Sequence, residues 1–171
     1  MNQNTSEEQS ILDDFLNDAV IARGWAIIGI HRAYPDGGWE PPEFKVRKNQ
    51  ALATGLNELA LGAVNSRGLY NWIAVGTQTA AASLGSVWNS EVSRKVGATI
   101  TTSKMTMILV STWGGAADSV TSLQLETAAL CNNVNSGSGI PLNIVTGVAA
   151  TLANSDLLSL QMNFQIGSHN L

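Results

Sequence analysis

The chain has 171 residues, enough for one domain with a true core. Charged residues make up 13% of it and the formal net charge is -4, with no run of Lys or Arg, which argues against nucleic acid as a partner because phosphate backbones are held by clustered positive charge. The single cysteine, Cys131, excludes an internal disulfide and a Cys-based zinc site, and the longest apolar runs, such as Trp25 to Ile30, fall far below the roughly 20 residues of a membrane helix. The expectation is a soluble protein that folds in a reducing cytoplasm, since Asn2 to Gln9 is polar and acidic and lacks the basic-then-apolar order of a secretory signal.

In chain order, Ser6-Glu7-Glu8-Gln9 reads as a capping box. Ile11, Leu12, Phe15, Leu16, Ala19 and Val20 follow at helical spacing, so a helix is expected to run to Arg23 and stop at Gly24. Trp25 to Ile30 reads as a short extended segment. From Tyr34 to Phe44 the composition changes: the stretch holds three of the four prolines and three of the ten aromatic residues. Proline lacks an amide donor and prefers extended or turn conformations, so this stretch is expected outside a central sheet. Two readings stay open, a loop folded back on its own domain or an arm laid on a neighbouring subunit, with Tyr34, Trp39 and Phe44 as aromatic anchors. Asn49 to Val64 places Leu52, Leu56, Leu59, Ala60, Ala63 and Val64 three and four apart and predicts an amphipathic helix, weakened by Gly55 and Gly62, before a turn at Ser66-Arg67-Gly68.

The remaining hundred or so residues read as short strands divided by small-residue turns. Strands are expected at Leu69 to Val75, Glu91 to Thr101, Lys104 to Trp113, Val120 to Ala128, Leu142 to Thr151 and Leu157 to Ile166. Gly76 to Ser83 is a loop, Gly114 to Ser119 closes a hairpin into the fourth strand, and Asn132 to Gly139 is a long exposed turn. Two of these strands are informative. In the third, Met105, Met107 and Leu109 share one face while Ile108 and Val110 share the other, as in a central strand or one covered by a partner. In the last, Leu158, Leu160, Met162, Phe164 and Ile166 alternate with Ser159, Gln161, Asn163 and Gln165, the period of two that a half-buried antiparallel strand satisfies. The expected fold is therefore mainly β: an antiparallel, jelly-roll-like β-sandwich in residues 49–171 with a leading helix, preceded by a helix and arm in residues 1–48.

No stretch reads as catalytic, and neither an enzyme nor a cofactor is expected. His31 and His169 have no carboxylate or second histidine at ligand spacing, so no metal is expected. Cys131 beside Ala128, Ala129 and Leu130 reads as a small core group. The Gly76-Thr77-Gln78-Thr79 loop lacks the Gly-Lys-Ser/Thr ending of a phosphate loop. Arg94-Lys95, the strongest basic group, is either a solvated strand end or one half of a salt bridge to a partner.

The order of motifs over residues 70–167 resembles a group of tailed-bacteriophage virion proteins. It comprises Trp72-Ile-Ala-Val-Gly-Thr77, a small-residue loop, Glu91-Val-Ser-Arg-Lys95, an alternating strand, the Gly114 to Ala117 turn and the closing Leu-Ser-Leu-Gln-Met-Asn-Phe-Gln-Ile-Gly167. Gln78 departs from the Gly of the group's Gly-Thr-Gly-Thr pattern. The resemblance implies a small β-sandwich component of the capsid exterior, neck or tail, often trimeric. The N-terminal third then fits a decoration (cement) protein that binds the outside of the major capsid protein shell as a homotrimer, assembled in the host cytoplasm. Neck, collar or tail-fibre components and a carbohydrate-binding head using Trp39, Trp72, Trp88 and Trp113 are the alternatives.

Overall fold

The computed structural model describes residues 20–58, 70–79, 90–103, 106–133, 135 and 140–168. Among these residues nine strands make one antiparallel sheet: β1 (Val20–His31), β2 (Glu43–Ala51), β3 (Trp72–Gly76), β4 (Glu91–Val96), β5 (Ala98–Ser103), β6 (Thr106–Gly114), β7 (Gln124–Cys131), β8 (Pro141–Thr151) and β9 (Leu157–Ser168). Across the sheet they run β4-β3-β7-β8-β2-β1-β9-β6-β5. The two edge strands, β4 and β5, are consecutive in sequence and separated only by Gly97. One chain segment thus pairs with β3 through its first half and with β6 through its second, bringing the two edges together. Counted as one bent strand, β4 and β5 reduce the sheet to eight strands that nearly close into a barrel.

The corner at Gly97 is tight. A Cβ there would lie 3.0 Å from both Cβ and Cδ2 of Leu109 on β6, closer than side chains normally approach. Around it β4 is tied to β6 by side chains instead of a ladder: Lys95 Nζ donates to the Thr112 carbonyl at 2.8 Å, and the Trp113 indole donates to Ser93 Oγ at 3.2 Å. Trp113 is fully buried and fills the interior where the edges meet.

The alternating strand at the C-terminus, β9, lies between β1 and β6, paired with β1 from Leu157 to Ser168 and with β6 from Leu157 to Gln165. Its apolar set Leu158, Leu160, Met162 and Phe164 is buried in the core. Ala26, Ile28 and Ile30 of β1, Leu109 and Trp113 of β6, Leu125, Ala128 and Leu130 of β7, and Val145, Val148 and Ala150 of β8 join the same cluster. Ile108 and Val110 of β6 are half-buried on the outer face, as the two-sided apolarity of that strand implied.

Several expectations are corrected. The strand expected from Trp25 starts at Val20, where a helix was expected to continue to Arg23; ladder pairing of Val20 to Arg23 with Ser168 to Gln165 overrides local helical spacing. The helix expected over residues 6–19 lies outside the described residues, as do the turn at 66–68, Met105 and most of the 132–139 loop. In place of a helix over 49–64, Asn49 to Ala51 complete β2, and helix occupies 53–58, with 59–64 not described. The Leu52 amide donates to the Leu142 carbonyl at 2.8 Å, so tertiary pairing holds this segment extended. The expected division at 48/49 falls inside β2, and β1 and β2 stand in the middle of the sheet. Gly114 to Ser119 does not close a hairpin, because β6 pairs with β9 and β5 while β7 pairs with β3 and β8.

Two substitutions test the closure. Gly97→Val, which adds bulk against Leu109, is expected to lower unfolding free energy by about 1–3 kcal/mol. Trp113→Ala, which empties the interior there, is expected to cost about 3–5 kcal/mol. Urea denaturation followed by circular dichroism measures both.

Candidate interaction surface

Among the described residues, the hairpin of β1 and β2 carries most of the exposed large apolar side chains. Phe44 is 63% exposed, Val46 61%, Trp39 50% and Tyr34 44%. Phe44 and Val46 lie on the outer face because β2 alternates, opposite Gly29 and Ile27 of β1. The Phe44 ring rests over Gly29, where a Cβ would come within 3.0 Å of it, and meets His31 edge-on at a centroid distance of 6.3 Å. Glycine on β1 therefore seats the aromatic ring, which still presents most of its surface to solvent.

The hairpin tip is built by its prolines and glycines. Tyr34-Pro35-Asp36-Gly37 makes a β-turn in which the Gly37 amide donates to the Tyr34 carbonyl at 3.1 Å. The Tyr34 amide donates to the Gly38 carbonyl at 2.8 Å, and Asp36 accepts from the Gly38 amide at 3.2 Å. Trp39 bridges back to Ala33. Within the chain the Pro-rich stretch is the loop of a hairpin in the sheet, and its aromatic groups are exposed.

Below the tip, Asp156 anchors β1. One carboxylate oxygen accepts from the Ala33 amide at 3.1 Å, and the other from Arg32 at 2.7 Å and the Ala153 amide at 2.9 Å. Burial acts to raise this carboxyl, but the three donors outweigh it and hold it below its ordinary value of 3.8.

β2 also carries Lys45, Arg47 and Lys48, and it pairs with β8 over only three positions: Asn49 with Val145, Gln50 with Ile144, Ala51 with Asn143. Beyond these the two strands part, and side chains span the seam. Lys45 Nζ donates to the Ala149 carbonyl at 3.3 Å, Arg47 Nε to the Gly147 carbonyl at 3.2 Å, and Arg32 to the Thr151 carbonyl. Arg47 Nη1 also donates to the Val46 carbonyl at 3.1 Å. On β8, Gly147 (φ 72°) and Ala149 (φ 47°) are left-handed, and the register against β7 jumps from Leu125–Ala150 to Thr127–Thr146. The strand bulges where it leaves β2.

Tyr34, Trp39 and Phe44 are thus brought together on one hairpin, while Arg94 and Lys95 sit on β4 and are engaged within the chain. Arg94 forms a bidentate pair with Glu91, at 2.6 and 2.8 Å, and donates to the Asn133 carbonyl; both charged side chains are almost fully buried. Lys95 pairs with Asp118 at 2.7 Å. Val46, Lys45 and Arg47 were not singled out in the sequence; the alternation Phe44-Lys-Val-Arg47, apolar on one face and cationic on the other, is the signal that could have marked them. Cys131 lies buried near the Arg94–Glu91 pair, and burial foremost pushes its thiol up to about 12. Among the described residues no three His, Cys, Asp or Glu side chains converge in a way that could hold a metal, and no helix is long and apolar enough to cross a membrane.

Two measurements follow from these environments. Because the folded Asp156 carboxyl is depressed, its contribution is present above its ordinary value near 3.8 and is lost as pH falls through the lower folded value. Asp156→Asn is expected to remove that acid dependence and to cost about 1–3 kcal/mol at neutral pH, read from urea titrations across pH. Cys131 is expected to resist a disulfide reagent at neutral pH in the native protein and to react fully in denaturant, since only the thiolate attacks.

Compared with protein-family models, curated proteins and solved structures, the chain matches none.

Proposed function

We propose that this chain is a structural assembly protein that docks on other protein through the outer face of the β1–β2 hairpin. In its specific form it is a decoration protein on the exterior of a tailed-bacteriophage capsid, binding the shell of major capsid protein as a homotrimer. The observation that carries the docking reading is the exposure of Phe44, Val46, Trp39 and Tyr34 together on one hairpin, with Lys48 on the same face of β2 as Phe44 and Val46. Exposed aromatic side chains are the groups that dominate protein interfaces, and a cation on the same face sets register on an oppositely charged partner. The virion setting rests on the resemblance of residues 70–167 alone. In this reading the chain is not an enzyme, needs no cofactor, and contacts neither nucleic acid nor membrane.

The fold reading that belongs with this function is a jelly-roll-like sandwich. Flattened at the Gly97 corner and at the β2–β8 seam, the sheet would give leaves of β4-β3-β7-β8 and β2-β1-β9-β6-β5. A neck, collar or tail-fibre station is the alternative within the virion. A carbohydrate-binding head is favoured by one further observation, the half-exposed Trp39 and Tyr34 rings beside the Asp36 and Glu40 carboxylates.

The test is addition of purified protein to undecorated capsids. Stoichiometric binding spread over the whole shell, with a rise in capsid melting temperature, is the expected outcome. Phe44→Asp is expected to weaken that binding by about 2 kcal/mol or more, roughly thirtyfold, with unchanged circular dichroism. Copies confined to one vertex would move the protein to the neck or tail, and binding to polysaccharide but not to capsids would favour the carbohydrate reading.

A further inference from the structure

We infer that the seam between β2 and β8 is a strand-acceptor site: the free edge of β2 pairs with an extended, acidic segment of a partner protein. This goes beyond the docking face described above and does not depend on the partner being a capsid.

Backbone groups come first. Over Glu43 to Lys48, β2 has β1 on one side and, among the described residues, no ladder on the other. The Val46 carbonyl is reached by the Arg47 side chain, which also reaches across to β8, so Val46 directs its backbone groups into the seam. In an extended strand Phe44 and Lys48 direct theirs the same way. An open edge of this length is a template for another strand, and native proteins blunt such edges with charged side chains.

Here the blunting is light. Lys45 caps the Ala149 carbonyl at 3.3 Å and Arg47 the Gly147 and Val46 carbonyls at 3.2 and 3.1 Å, all in exposed positions, and neither side chain replaces the amide-to-carbonyl pairs of a ladder. The left-handed Gly147 and Ala149 hold β8 away, so the seam cannot close by β8 simply sliding into register.

Charge selects the occupant. Lys45, Arg47 and Lys48 against Glu43 leave Glu43 to Lys48 with a net +2 (3 − 1), and the Arg32 charge nearby is balanced by Asp156. A second copy of this edge would bring like net charge against it, whereas a strand with carboxylates at alternate positions would take over the donors of Lys45 and Arg47 as they leave the β8 carbonyls. Its intervening apolar side chains would continue the face formed by Phe44 and Val46.

The probe is a labelled ten-residue peptide of alternating Val and Glu, titrated into the full chain and followed by fluorescence anisotropy. Saturable binding is expected, weakened at least tenfold by Arg47→Glu and falling with added salt. Two peptides carrying N-methyl groups on opposite alternate sets of residues separate backbone pairing from charge attraction: one is expected to lose binding and the other to keep it. Val46→Pro, which removes the seam-facing amide while leaving pairing to β1 intact, is expected to abolish binding without changing the circular dichroism.

Equal binding by both N-methylated peptides would reduce the effect to electrostatics and overturn the proposal. So would the absence of binding at millimolar peptide. Concentration-dependent self-association that Val46→Pro abolishes would give the edge to a second copy and overturn the choice of an acidic partner. Loss of capsid addition in Phe44→Asp with peptide binding retained would separate this edge from the docking face.

Discussion

The fold depends on one chain segment serving both edges of the sheet. Gly97 lets residues 91–103 turn from β3 to β6 with backbone against Leu109, so the first and last strands of the sheet are continuous in the chain. An open sheet of this length would present two edges to solvent, and joining them through a corner brings the edges together so that side chains bridge them. The same corner fixes where the largest core side chain can go, because Trp113 fills the interior beneath it and bonds to Ser93 on the far side of the turn.

A second device compensates for what the corner leaves undone. The chain has few charges, and most of the cations placed by the structure donate to backbone carbonyls where ladder bonds are missing. Lys95 reaches Thr112 near the corner, while Arg32, Lys45 and Arg47 reach Thr151, Ala149 and Gly147 across the seam. Buried or partly buried carboxylates orient three of them: Asp156 holds Arg32, Asp118 holds Lys95, and Glu91 holds Arg94 against the Asn133 carbonyl. Charge in this protein is thus closely tied to sheet closure. Where cations remain on a carbonyl edge that is solvated on both sides, as on β2, the same groups become available to a partner.

That distribution places the hairpin apart from the rest of the surface. Its inner side chains, Ala26, Ile28 and Ile30, are locked in the core, so the outer face is presented on a rigid support, and Gly29 leaves room for Phe44 to lie flat across the strand. A docking surface on paired strands in the centre of a sheet loses little freedom when it meets a partner, which favours binding through few side chains.

Period-two alternation was legible because it is local. It marked β9 correctly from Leu158 to Phe164, gave β6 its two apolar faces, and made the protein mainly β and antiparallel. The aromatic residues of the Pro-rich stretch were visible as candidates for the same reason, since proline and glycine declare a turn wherever they stand. Local spacing could not show that Val20 to Arg23 belong to a strand, because their pairing with Ser168 to Gln165 spans nearly the whole chain and outweighs a helical preference of a few tenths of a kcal/mol per residue. Nor could it show that Arg94 and Lys95 pair with Glu91 and Asp118 of the same chain, that β4 and β5 are the two edges of one sheet, or that β2 leaves β8 after three pairs. Those facts depend on which strands become neighbours, and neighbours are chosen by the burial of a shared core rather than by any residue's own conformational preference.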